Sequence, residues 1–145
     1  MSDSFQTLPA LVDELLARFI TKDFWVRADE SIRPDAFVPP KDHNLSVTRH
    51  GGMPEETLWK IGHSVAEMIS TKRRGILYGR ADITTSDVVR QSLKVEAAPL
   101  PENVNHSHIT GWPKDKPTQK HIAQRLAEAA KFVAEPQMPR LGQGP

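Results

Sequence analysis

The chain has 145 residues, of which 38% are hydrophobic and 26% charged, and its 19 basic and 18 acidic side chains give a formal net charge of +1. This length and composition predict one folded domain, and the near-zero net charge argues against a protein that its overall field draws to nucleic acid or anionic lipid. The absence of cysteine excludes disulfides, thiolate nucleophiles and metal centres built on cysteine.

The residue pattern of the amino-terminal sequence predicts neither a secretion signal nor a membrane span. Its first residues lack a basic region followed by a continuous apolar stretch, and no run in the chain approaches the roughly 20 apolar residues that cross a bilayer. We therefore expect a cytoplasmic protein without a membrane partner.

The first half of the chain predicts two helices and two strands. Apolar residues recur at helical spacing from Leu8 to Ile20, which indicates an amphipathic helix. We expect a short strand near Trp25 and then a proline-rich loop that packs on the core through Phe37. Alternation from Asn44 to Arg49 predicts a strand. A second helix opens at Pro54-Glu55-Glu56, with acidic residues in its first turn.

The second half predicts three further short strands and two helices. Ile76 to Tyr78 is β-like, and Thr84 is placed to form a capping box for a brief helix. Lys94 to Ala97 and His106 to Trp112 are the next strand candidates. The last helix is expected from about Pro117 to Val133.

This order of elements predicts an α+β or α/β domain. We expect a small mixed sheet of about four short strands flanked by three main helices, and the pattern leaves the strand order open. The globular domain is assigned to residues 1–134, and the proline- and glycine-rich residues 135–145 are expected to form a flexible tail that folding does not need.

The segment Arg49-His50-Gly51-Gly52 is the strongest indication of a ligand-binding site in the sequence. It connects the end of a predicted strand to the start of a predicted helix, so backbone N–H groups and the Arg49 and His50 side chains could converge on an anion. The alternative is a turn that needs only glycine conformations, with both side chains in solvent.

Arg80 and Asp82 form a second candidate ligand-binding pair. On an extended chain, residues two apart lie on one side, where these two could hold a polar ligand or pair with each other. An ordinary ion pair is the alternative use.

His106 and His108 share one face of a predicted strand, as two imidazoles bound to one metal ion must. With His50 they are the candidate catalytic or ligating histidines. The sequence offers no third ligand at matching spacing, so any metal or other cofactor stays unknown, and a surface histidine pair is the alternative. His108-Ile109-Thr110 also resembles one half of the paired motifs of the two-histidine phosphoesterases, but the chain has no second copy.

The run from Ile32 to Arg49, with the segments LYGRADI and NHSHITGWP, resembles a set of short uncharacterised bacterial proteins encoded near mobile-element or defence genes. The resemblance implies a bacterial cytosolic origin and an accessory role in a multi-protein locus. It brings no catalytic residue to this sequence.

Two functions from different classes therefore remain open. The first is a non-enzymatic interaction or accessory protein with a protein partner, favoured by the neutral charge and small size. The alternative is a small hydrolase or transferase that acts on a phosphate-bearing or nucleotide substrate, with arginines that clamp oxygens and a histidine as general base. Nucleic-acid binding through Lys72, Arg73 and Arg74 is a weaker third hypothesis, and the pattern leaves the oligomeric state open.

Overall fold

The computed structural model describes residues 13–69 and 75–136, and this part of the chain contains six strands and three α-helices. The strands are β1 (Leu15–Ile20), β2 (Leu45–Arg49), β3 (Gly79–Thr84), β4 (Lys94–Ala97), β5 (His106–Thr110) and β6 (Lys131–Val133). The helices are α1 (Glu55–Ile69), α2 (Thr85–Arg90) and α3 (Lys116–Ala129). Two 3-10 turns, Asp23–Trp25 and Pro34–Phe37, lie between β1 and β2.

The strands form one sheet in the order β4-β5-β2-β1-β3-β6, and every neighbouring pair is antiparallel. The predicted mixture of helices and strands around one sheet is confirmed. The sheet has six strands and not about four, because the sequence analysis missed β1 and β6. It is also an antiparallel sheet and not one of mixed strand directions.

Strand β1 replaces the end of the predicted helix from Leu8 to Ile20, so that assignment is wrong for Leu15 to Ile20. Alternate residues of β1 point to opposite faces of the sheet, and both faces are covered: Leu16 and Ile20 pack in one cluster, Ala17 and Phe19 in another. A strand buried on both sides is apolar almost throughout, and such a run cannot be distinguished from a buried helix by periodicity.

Three other predicted boundaries are also corrected. The residues near Trp25 form a 3-10 turn followed by an isolated bridge. Ile76 to Tyr78 stands before the strand, which begins at Gly79. The last helix ends at Ala129, and Lys131–Val133 pairs with β3 as an edge strand.

The sheet has two unequal packing layers. On the face that we call the α3 face, the main core packs α2, α3 and the second 3-10 turn against the strands. On the opposite face, the α1 face, a smaller cluster joins Ala17, Phe19 and Leu58, with Ile61 and Val65 partly buried beside it. The large side chains of the main core that are fully buried include Leu16, Ile20, Phe37, Leu45, Ile83 and Leu126.

Helix α1 covers only part of its face. Leu58 near its start is buried, whereas Met68 and Ile69 at its end are 66% and 55% exposed. In the part of the chain described, no helix combines the length and apolar character that crossing a membrane requires. Residues 8–12 of the predicted first helix, the basic cluster at residues 72–74 and the tail beyond residue 136 lie outside the described residues.

Candidate functional site

Asp82 is the centre of a buried polar cluster on the α1 face. Its Oδ1 accepts a hydrogen bond from Nε of Arg80 at 3.0 Å and lies 3.1 Å from Nε2 of His50. The side chains of Asp82 and Arg80 are 8% and 4% exposed, and that of His50 is 15% exposed. Three of the residues that the sequence singles out therefore meet, and a carboxylate that orients an imidazole is a known device for general-base chemistry.

Arg80 joins this cluster to helix α1. Its two terminal nitrogens donate to the Glu55 carboxylate at 2.9 and 3.1 Å, and its guanidinium lies over the Trp59 ring. Arg80 lowers the pKa of Glu55 by these hydrogen bonds, and the two carboxylates raise the pKa of Arg80 although its burial acts in the opposite direction. All three guanidinium nitrogens of Arg80 therefore donate to carboxylates, and these bonds hold β3 to α1.

The anion loop expected at Arg49-His50-Gly51-Gly52 is not assembled. The register places Arg49 opposite Leu16, on the α3 face, where its guanidinium pairs with Glu14 at 3.1 Å. His50 lies on the other face, at Asp82. Gly51 and Gly52 have φ angles of 47° and 77°, so the glycine pair forms a left-handed turn into α1 as the alternative interpretation expects. That interpretation also expected the Arg49 and His50 side chains in solvent, which is wrong, because Arg49 is buried, His50 is half-buried and each contacts a carboxylate.

His106 and His108 lie on the α1 face but far from the Asp82 cluster. The register across the sheet aligns His106, Thr48, Ala17 and Asp82 in one row, which spans three strand spacings. At the usual separation of neighbouring strands, His106 and Asp82 are about 14 Å apart. The histidines therefore cannot act on the same atom as His50.

The two strand histidines contact each other, with ring centroids 4.9 Å apart and the rings nearly perpendicular. Nδ1 of His106 lies 2.8 Å from the Ala98 carbonyl oxygen, and because that oxygen only accepts, Nδ1 carries the proton. Burial, and then the neighbouring His106, lower the pKa of His108. Within residues 13–69 and 75–136, no three His, Asp or Glu side chains are grouped closely enough to hold a metal ion.

The sheet divides between β1 and β2. Their ladder contains two residue pairs, Leu16 with Arg49 and Ala17 with Thr48, whereas β1 pairs with β3 along its whole length. A continued ladder would set Phe19 opposite Ser46. The Ser46 carbonyl instead accepts from Nη1 of Arg18 at 3.1 Å, so the strands form a fork with its apex at Ala17 and Thr48.

A cavity of about 340 Å³, here named the fork cleft, opens between the diverging strands. Its lining includes Ser46 and Thr48 of the α1 face and Arg18 and Val47 of the α3 face. Its walls are mostly apolar and come from β1, the first 3-10 turn, α1 and the loop before β5. The main apolar side chains are Phe19, Trp25, Ile61, Val65, Met68 and Leu100. This volume lies at the lower end of the range for ligand-binding pockets.

The polar lining of the fork cleft is held by hydrogen bonds. Asn103 donates to the Thr48 hydroxyl at 2.9 Å, which ties the loop to β2, and His106 lies beside them. Glu102 stands on the exposed rim. The cleft thus combines apolar walls with a few oriented polar groups, the composition typical of a recognition site.

Arg18 lies at the apex of the fork and is the functional candidate that the sequence analysis missed. Its Nε donates to the Ala36 carbonyl at 2.7 Å, and its guanidinium carbon lies 5.2 Å from the centroid of the Trp25 ring. Burial lowers the pKa of Arg18 to about 10. A charged residue inside the apolar run LLARFI is unusual for a buried strand, and it would have drawn attention had the run been recognised as one.

Comparison with known proteins leaves the family of this chain open. No protein-family model matches the chain, and no match was found among curated proteins or among solved structures.

Proposed function

We propose that this protein is a non-catalytic interaction protein that binds an extended, apolar segment of a protein partner in the fork cleft. The observation that carries the proposal is the early end of the ladder between β1 and β2, with a mostly apolar cavity at that point. The proposal includes the cytoplasmic location and the accessory role in a bacterial multi-protein locus that the sequence and its resemblance favour.

An extended peptide suits this site because the fork presents strand edges. The backbone N–H of His50 donates to the Leu15 carbonyl, so the backbone groups of Leu15 point toward β2. Alternate residues of a strand direct their backbone N–H and C=O groups to the same neighbouring strand. Ala17 and Phe19 therefore direct theirs toward β2, and Phe19 lies beyond the last ladder pair. Unpaired strand edges are templates for the addition of another strand, in which backbone bonds supply affinity and pockets supply specificity.

The rim of the cleft supports the same function. Met68, Ile69 and Leu100 line the cleft and are 66%, 55% and 37% exposed. Clustered exposed apolar side chains with a polar border mark interaction sites more often than scattered ones do. The charges of the buried residues Arg80 and Arg49, in contrast, are compensated by carboxylates within the fold, so these two arginines have structural roles.

The test uses a library of random peptides displayed with free carboxyl termini and selected on the purified protein. Enriched peptides are synthesised, and their Kd is measured by fluorescence anisotropy. We expect the enriched peptides to be apolar. They should bind Met68→Glu at least about tenfold more weakly than the wild-type protein, because a charge at the rim opposes burial of an apolar segment.

The matched control is Val89→Glu, which introduces the same charge at an exposed apolar residue of α2 outside the cleft. Both positions are exposed, so both variants are expected to fold, and their melting temperatures verify this. Peptides that bind the control as tightly as wild type support the proposal. Failure to enrich any sequence, or equal binding to the Met68 variant, overturns it.

A small hydrolase or transferase is the second candidate, and the contact between His50 and Asp82 favours it. The scattered arginines weaken this candidate, since Arg49 lies on the opposite face. The test measures hydrolysis of p-nitrophenyl phosphate and of ATP by wild type and His50→Ala. Turnover that the substitution abolishes would support the enzyme, and no turnover above the His50→Ala background would count against it.

A further inference from the structure

Arg18 differs from the other arginines that the fold encloses. Arg49 and Arg80 each pair with carboxylates, Glu14 for the first and Glu55 with Asp82 for the second. Among the described residues, Arg18 has no ion pair with a carboxylate; its hydrogen bonds go to two backbone carbonyls. Arg18 is partly buried, and a partly desolvated guanidinium without an anionic partner is costly, so an incoming anion would relieve that cost.

The hydrogen bonds of Arg18 hold its guanidinium in place but do not use all of its N–H donors. Nε is directed to the Ala36 carbonyl and Nη1 to the Ser46 carbonyl, so two of its nitrogens are held and further N–H donors remain for a ligand. The Trp25 ring lies against the guanidinium. Arginine held in this manner is suited to carboxylate oxygens, which its planar fork of donors can bind in pairs.

The fork closes immediately next to Arg18. The last ladder pair of β1 and β2 is Ala17 with Thr48, and Arg18 follows in the chain, while Thr21 and Trp25 line the cleft toward the open end. A peptide that enters between the strands from the open end meets the paired strands at the apex and cannot continue. The group that reaches Arg18 is therefore the end of the peptide and not a side chain from its middle.

We infer that Arg18 binds the carboxyl-terminal carboxylate of a partner protein, whose last apolar residues occupy the fork cleft antiparallel to β1. This inference rests on the proposed function and specifies the partner as one with a free, apolar carboxyl terminus. Phe19, Val65 and Ile61 line the space for its last side chains, and the backbone of Phe19 faces the peptide. Capture of a terminal carboxylate together with strand addition is an established mode of peptide recognition in general.

The experiment compares each enriched peptide as a free acid and as a carboxyl-terminal amide on the unmodified protein. Amidation removes only the terminal charge, so it needs no variant that could fail to fold. We expect the amide to bind about tenfold to a hundredfold more weakly, as befits loss of a charge-assisted hydrogen-bonded pair. In Arg18→Gln, acid and amide should bind with nearly equal Kd, whereas Lys120→Gln on the surface of α3 should keep the full difference.

The outcomes separate this inference from the proposed function. If acid and amide bind wild type equally, the terminal-carboxylate assignment is overturned while peptide binding in the cleft stands. If amidation has no effect but replacement of an internal Asp or Glu of the peptide abolishes binding, Arg18 recognises a side chain and the inference is again overturned. If no peptide binds at all, the proposed function itself fails.

Discussion

The guanidinium carbon of Arg80 lies 4.8 Å from the centroid of the Trp59 ring, and this contact joins strand β3 to helix α1 in the middle of the buried polar cluster. Arg80 is held from the other side by Asp82 on its own strand and by Glu55 on the helix. Each neighbour either compensates its charge or covers its flat face. The arrangement accounts for a buried arginine by packing and ion pairing, without a ligand.

Arg80→Met is expected to destabilise the protein by roughly 3 kcal/mol, because it leaves the buried carboxylate of Asp82 with His50 as its one remaining side-chain partner among the described residues. The free energy of unfolding in urea measures the loss. The control is Arg90→Met, which breaks an ion pair with Asp87 from a largely exposed side chain and should cost under about 1 kcal/mol. Equal losses in the two variants would contradict the structural role of Arg80.

Gly62→Ala is expected to destabilise the protein by about 1–2 kcal/mol, although alanine is the better helix former. A Cβ at this position would lie 2.7 Å from Cε1 of Phe19 and 2.9 Å from Cδ2 of Leu77, closer than packed carbon atoms approach. Thermal unfolding checks the sign. Ser64→Ala, at an exposed position of the same helix, should change the free energy of unfolding by no more than about 0.5 kcal/mol. A stabilised Gly62 variant would show that α1 lies further from β1.

Leu126→Ala should cost about 2–5 kcal/mol, because Leu126 is 1% exposed and its truncation leaves a cavity between α3 and the sheet. Glu128→Ala, two residues later on the exposed side of α3, is expected to stay within about 0.5 kcal/mol of wild type. Chemical denaturation of both variants tests the docking of the helix. A loss below about 0.5 kcal/mol for Leu126 would mean that α3 is not packed as described.

His108 is expected to make stability depend on pH. Its pKa in the folded protein is lowered from 6.5 by burial and by His106, so the unfolded chain binds the proton more readily. The free energy of unfolding should therefore fall as the pH decreases from about 6.5 through the lowered pKa of the folded state. Asp42 and Glu96 oppose this shift with smaller effects.

The measurement is the slope of unfolding free energy against pH in wild type and in His108→Asn, and the slope below pH 6.5 should be shallower in the variant. His121→Asn, at an exposed position of α3, serves as the control for loss of an imidazole. An identical slope in wild type and His108→Asn would exclude His108 as a source of the pH dependence.

Local patterns in the sequence determined several elements correctly. The capping box at Thr84 forms as predicted, with its hydroxyl accepting from Asp87 N and the Asp87 carboxylate accepting from Thr84 N. Strand β2 also follows the alternation predicted from Asn44 to Arg49. These features depend on residues two to four positions apart, and contacts at such separations are visible in the order of residues itself.

The candidate sites were decided by the tertiary structure. The sequence correctly indicated that Arg80 and Asp82 could pair, since residues two apart on a strand share a face. It could not separate His106 from Asp82 by three strand spacings, or place Arg18 at the apex of a fork where no carboxylate of the described residues pairs with it. Those relationships depend on strand order and register, which are set by contacts between residues distant in the chain.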